Sequence, residues 1–244
     1  MAKDEPLALD YFVAGVPTGE SFRMVLEDIR EISIEKSDLR TGINRLQEIC
    51  FVGVMGYFEA FCKDHFASLI NIEPSLIDLL KKGGQNVTID GATVALYGSE
   101  ISHKLGFLIS EKYDFGTAQK INALYSALLK ITPFSKDEIV TYSNMLRDRN
   151  LVVHHGGVYT MSYLSAHPEF QISDSKLDAF WNSCVIAKDY VISVVDFLSV
   201  IAKKMINATH SAIVQYVDEA GVSYSDERKK ALHFIVMWGD SDEA

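Results

Sequence analysis

Positive charge is scarce in this chain, with 23 Lys and Arg against 33 Asp and Glu and a formal net charge of −10. A surface of that balance repels nucleic acid as a whole, which excludes a protein that coats it tightly without regard to sequence. Any RNA site has to be a local cationic patch. No run of about 18 apolar residues occurs, so no membrane span is expected. Residues 1–6 carry acids where a signal peptide needs a basic flank and an apolar core, which points to a soluble, cytoplasmic protein without a membrane partner. Cysteine is limited to Cys50, Cys62 and Cys184, an odd number with no C-x-x-C pair. That excludes a disulfide framework and a zinc knuckle, and suits buried thiols in a reducing compartment. Internal repeats and low-complexity tracts are missing, and Lys81-Lys82-Gly83-Gly84 lacks the glycine spacing and the Lys-Ser/Thr ending of a phosphate-binding loop.

What is present is apolar content, 48% over 244 residues, enough to bury one large core. The periodicities predict one all-α domain over residues 1–244, an up-and-down helical bundle with extra terminal helices. Its core spans about 38–207, with an N-terminal arm and helix in 1–37 and a C-terminal helix in 208–244. The arm holds Pro6, Gly15, Pro17 and Gly19 and reads as extended, leading to a helix near 21–32. A long helix follows from Ser37 or Asp38, with Leu39, Ile43, Leu46, Cys50, Val54, Tyr57, Phe61 and Leu69 as its apolar stripe. Gly53 and Gly56 predict close approach of a neighbouring element there. Glu59 interrupts the aromatic face, either as a partly buried acid that positions a cation or as a solvated residue.

Further along, Pro74 begins a short helix to Lys82, and Val87-Thr88-Ile89 alternates like a small strand. Ser99 opens a helix to about Lys112, and Thr117 another to about Ile131 with Ile121, Leu124, Tyr125, Leu128 and Leu129 buried. Ser135-Lys136-Asp137-Glu138 matches a capping box, and Gly156-Gly157 offers the backbone freedom to end the helix it starts, whose core side carries Ile139, Tyr142, Met145 and Leu146. Residues 158–173 read as a loop with Tyr159, Tyr163, His167 and Pro168. From Asp174 the pattern Leu177, Trp181, Cys184, Tyr190, Val194, Val195, Leu198 and Ile201 predicts a very long helix that bends near Asn207. Ser225 or Asp226 starts a last helix through Trp238, before an acidic tail.

Cations, imidazoles and an amide concentrate in Arg147-Asp148-Arg149-Asn150-Leu151-Val152-Val153-His154-His155, just before the glycines. Within it Arg149, Asn150 and His154 form the pattern Arg-Asn-x-x-x-His. This resembles the signature of the HEPN superfamily, all-α proteins of which many are metal-independent bacterial ribonucleases. The resemblance extends to the helix around Gly56-Tyr57-Phe58-Glu59-Ala60-Phe61 and to the long helix after Asp174. Arg228 and His233 share the spacing, but Lys229 stands where the family places a small polar residue and no glycine stop follows.

RNA is cut without a metal when a base takes the proton of a ribose 2′-OH, the oxygen attacks the adjacent phosphorus, and a cation stabilises charge on the phosphoryl oxygens. His154 is the residue type whose proton exchanges near neutral pH, Arg149 holds a phosphate bidentately, and Asn150 hydrogen-bonds the phosphate or orients the other two. Arg147 and His155 add RNA phosphate contacts. Adjacent His154 and His155 lack a second ligand pair at zinc spacing, so no metal or cofactor is expected. Five residues along an ideal helix turn Arg149 and His154 apart by about 140°. The resemblance implies a homodimer whose paired motifs line one cleft, and the helix end at Gly156 offers a second way to relax the angle.

It also implies an RNA substrate and a partner protein from a toxin–antitoxin or phage-defence system. Toxins paired with nucleotidyltransferase antitoxins often place a tyrosine two residues after the motif histidine, where this chain has Gly156. Two other readings compete: a non-catalytic HEPN-like module that binds a partner protein or nucleotide, and a small-molecule enzyme using Tyr57, Glu59 and His154.

Overall fold

A computed structural model describes residues 5–35, 44–167 and 182–239. Among the described residues the chain is an all-α bundle of ten helices without a strand, joined by one antiparallel bridge between Val158 and Ser183. The helices are α1 (Thr18–Glu35), α2 (Arg45–Ile72), α3 (Leu76–Lys82), α4 (Gly91–Tyr97), α5 (Leu105–Ser110), α6 (Ala118–Leu129), α7 (Lys136–His155), α8 (Met161–Ala166), α9 (Lys188–Ala220) and α10 (Asp226–Phe234). No helix among them is long and apolar enough to cross a membrane.

α2 is the axis of the packing, and it touches α1, α5, α7 and α9. Phe51, Val54, Phe58, Cys62 and Phe66 are fully buried along it, while Phe22 stacks on Phe61 with ring centroids 4.9 Å apart. Gly106 lets α5 cross α2, because a Cβ there would lie 1.9 Å from the Ala67 carbonyl oxygen. The N-terminal arm is not a simple extended strap. It makes 3₁₀ turns at Ala8–Tyr11 and Val13–Gly15 and drives Tyr11 and Phe12 into the core. The Asn71 amide donates to the Tyr11 carbonyl (3.2 Å), and Glu227 of α10 accepts from the Ala8 N–H (2.9 Å).

Several expected boundaries hold because capping chemistry is local. Thr117 caps α6, Ser225 caps α10, and the full stripe of α6 is buried. Others shift. The expected start of α2 at Ser37 or Asp38, with Leu39 and Ile43, lies outside the described residues; α2 is described from Arg45, with Asn44 as its cap. Residues 87–89 form no strand, the segment expected as one helix from Ser99 is divided between the turn Gly98–His103 and α5, and α4 was not expected. Gly53 and Gly56 face open space instead of a neighbour, and Tyr57 is exposed instead of buried. α9 begins only at Lys188 and runs unbroken through Asn207, so Cys184 belongs to an extended segment; Asp174, Leu177, Trp181, Pro168 and the acidic tail lie outside the described residues. Cys50 and Cys62 are buried free thiols, whereas Cys184 is half-buried. α10 ends at Phe234, and Trp238 is buried beyond it.

One polar triad runs through the apolar centre. The Thr209 hydroxyl of α9 donates to the Met205 carbonyl (2.9 Å), so it accepts from Nε2–H of His65 (2.8 Å). His65 Nδ1 then accepts from the Thr18 hydroxyl of α1 (3.1 Å). The ring is fully buried and stacks on Phe61, and burial lowers its pKa from 6.5 to about 3. Between those values the unfolded chain binds a proton that the folded chain refuses. Stability is therefore whole above pH 6.5 and falls by up to about 1.4 kcal/mol per unit as the pH drops through this window. Denaturant unfolding of His65→Gln should show a deficit against wild type at pH 7 that narrows toward pH 4.5; a constant deficit across that range would contradict a neutral buried His65.

Candidate functional site

The motif helix is fixed at both ends by its own sequence. The Ser135 hydroxyl accepts from the Glu138 N–H (3.3 Å), the Glu138 carboxylate accepts from the Ser135 N–H (2.6 Å), and Glu138 also pairs with Lys204 of α9 (2.5 Å). Asn122 of α6 holds the preceding turn by bonds both to and from the Phe134 backbone. At the other end Gly156 and Gly157 take φ of +59° and +84°, and the Leu151 carbonyl accepts from the Gly157 N–H (3.1 Å). Tyr142, Met145 and Leu151 are its buried anchors.

His154 and His155 both lie within α7, so the helix end does not relax the angle between Arg149 and His154. They diverge by the same roughly 140° that an ideal helix gives. Arg147, Asn150 and His154, at three- and four-residue steps, instead share one exposed strip, with Arg147 and His154 only about 20° apart around the helix. His155 is also exposed but is turned roughly 100° away from His154.

Arg147, Arg149 and Asn150 line a cleft of about 410 Å³, whose other walls include Glu59 of α2 and Gly116 and Gln119 at the start of α6. His154 does not line it. Arg149 is half-buried and donates to Asn150 Oδ1 (3.0 Å), and Arg147 donates to Asn144 Oδ1 (2.6 Å). Burial raises the pKa of the Tyr142 phenol, Cys62 and Glu59 push it the same way, and Arg149 opposes them, so Glu59 and Arg149 both act on one buried hydroxyl.

Several arginines and lysines elsewhere are paired: Arg23 with Glu20 and Glu27, Arg30 with Asp196, Arg45 with Glu48, Lys120 with Asp114. Arg147 and Arg149 have no carboxylate partner among the described residues, and neither do His154 and His155. Two side chains that can grip a phosphate thus stand beside an amide and, one turn on, an open imidazole. In the look-alike pair, Arg228 lies over the Tyr224 ring at 5.3 Å.

Sequence reasoning passed over Asp148. Its carboxylate accepts from the Tyr163 hydroxyl of α8 (2.6 Å) and the Tyr190 hydroxyl of α9 (2.5 Å). Burial and the neighbouring carboxylate hold both phenols well above their ordinary pKa. Burial, then Asp148 and Glu48, push the Cys184 thiol up to about 12, so it is protonated at neutral pH. Backbone bonds from Tyr159 N–H to Asn182 (3.0 Å) and from Cys184 N–H to Gly157 (2.8 Å) close the same side. An acid between two arginines, followed by tyrosines where a loop was expected, was the available signal; α8 occupies part of that loop.

No family model, curated protein or solved structure matches the chain. Asp148→Ala should remove two charge-assisted hydrogen bonds and cost about 2–4 kcal/mol, lowering Tm by about 2–4 °C per kcal/mol. Arg147→Ala, Asn150→Ala and His154→Ala, on the open strip, should each stay within about 0.5 kcal/mol of wild type. Thermal unfolding checks the contrast, and equal losses on both faces would make the strip structural.

Proposed function

We propose that this chain is a metal-independent endoribonuclease of the HEPN type, working as a homodimer in a toxin–antitoxin or phage-defence setting. The observation that carries the reading is the pair Arg147 and Arg149, both without a carboxylate partner among the described residues, beside Asn150 and the exposed His154. An acidic protein that leaves two arginines of one cleft without a carboxylate offers a local anion site there, as a polyanionic substrate requires.

In the proposed step His154 takes the 2′-OH proton, and the 2′-oxygen forms a bond to the adjacent phosphorus. The P–O5′ bond breaks, and the departing 5′-oxygen takes a proton from water. Arg149 and Arg147 bind the phosphoryl oxygens and stabilise the charge that builds on them. Asn150 holds the Arg149 guanidinium in place and offers its amide to the phosphate. Because Arg149 and His154 point apart in one chain, a second copy across a twofold axis supplies the missing group, each protomer contributing the same surface.

Purified protein should cut mixed RNA in EDTA and leave 2′,3′-cyclic phosphate and 5′-hydroxyl ends; a strict magnesium requirement or 5′-phosphate ends would end the scheme. His154→Ala and Arg149→Ala should each lose about 10²–10⁴ in rate, while Arg228→Ala and His233→Ala stay near wild type. Mixing the two inactive variants should restore part of the activity, and a monomer by light scattering with full specific activity on dilution would refute the composite site.

A further inference from the structure

The cleft between α2, α6 and α7 is unusual in holding an acid as well as two arginines. Glu59 and Arg149 line the same 410 Å³ space without an ion pair between them. Asp114, next to Gly116 of the cleft wall, is already engaged by Lys120 and by the Gly116 N–H (2.7 Å). Glu59 has no hydrogen bond among the described residues and is exposed. A bare phosphate gains from the arginines but is repelled by Glu59. A ligand that brings both an anion and a pair of N–H donors satisfies both ends at once.

We infer that this cleft is a nucleotide subsite selective for guanine, with Glu59 reading the base and Arg147 and Arg149 holding its phosphate. A carboxylate offers two parallel acceptors. Guanine alone among the four bases presents two adjacent N–H donors, N1–H and N2–H, on its pairing edge; adenine, cytosine and uracil each place an acceptor next to the donor. The cleft volume lies within the range of about 300–1,000 Å³ common to small-ligand sites. Gly56 leaves the α2 wall open, since a side chain there would meet nothing within 4 Å. Arg147 and Asn150 line both this cleft and the exposed strip, so the 3′-phosphate of a nucleotide seated with its base at Glu59 lies against the guanidiniums that grip the reacting phosphorus. Resting on the ribonuclease reading, the subsite places cleavage on the 3′ side of guanosine: the guanosine 2′-oxygen bonds to phosphorus, its proton passes to the His154 that the second copy supplies, and the next nucleotide's 5′-oxygen leaves and is protonated by water.

The test uses the full chain and two readouts. Calorimetric titration with the four nucleoside 3′-monophosphates should favour 3′-GMP by roughly tenfold or more over the others, the worth of one charge-assisted hydrogen bond. Glu59→Gln replaces one acceptor with a donor at an exposed position and should abolish that preference while leaving helical content unchanged. Sequencing the ends of cut RNA should place guanosine at the cyclic phosphate, and Glu59→Gln should scatter the cut positions. Equal binding of the four nucleotides, or a guanine preference that survives Glu59→Gln, overturns the subsite. Cleavage without guanosine preference defeats the subsite and leaves the nuclease reading standing; selective 3′-GMP binding without cleavage supports the subsite and defeats the nuclease.

Discussion

Asp148 ties three helices together through two hydroxyls, and the rest of the site depends on that asymmetry. One face of the last turns of α7 is committed to Tyr163 and Tyr190 at 2.6 and 2.5 Å, under the short bridge at Val158 and Ser183. The opposite face, carrying Arg147, Asn150 and His154, is left to solvent. A helix end bonded on both sides would have no groups to offer, and one bonded on neither would fray. Anchoring from behind lets exposed side chains stand on a rigid support, which a positioned acid–base group needs.

Electrostatics reach the same place by a different route. With a net charge of −10, the molecule gains nothing from general attraction to a polyanion. Arg23, Arg30 and Arg45 are consumed by neighbouring carboxylates along α1, α2 and α9. Arg149 escapes that fate because its local partner is the neutral Asn150, and Arg147 because its partner is the neutral Asn144. Replacing either asparagine by aspartate would conserve shape and erase the patch.

Local chemistry was legible in the sequence and tertiary accommodation was not. The capping box at Ser135 and Glu138, the stop at Gly156 and the stripe from Ile121 to Leu129 each involve residues within a few positions of one another, and all stand where expected. Gly53 and Gly56 misled, because a glycine marks space without saying whether a neighbour or solvent fills it; the tight crossing lies at Gly106. Cys184 continued an apolar period yet sits in extended chain, since the bond from its N–H to Gly157 outweighs a helical pattern. Around the site, Arg149, Asn150 and His154 could be named from spacing. The grouping of Arg147 with His154 follows from their seven-residue step along one helix, but the meeting of Glu59 with Arg149 required α2, α6 and α7 to be placed against each other.

The arm at the front of the chain has a temporal consequence. Tyr11 and Phe12 are core residues, but their segment is fastened partly by Glu227, 219 positions later. During synthesis at about 5–20 residues per second, the interval between making the two ends of that bond is on the order of 10–40 s. Throughout it the two large rings of the arm lack their final clasp. Closure of this arm is therefore gated by synthesis of α10: whatever the earlier helices assemble, the last stitch that secures the Ala8 turn arrives with Glu227.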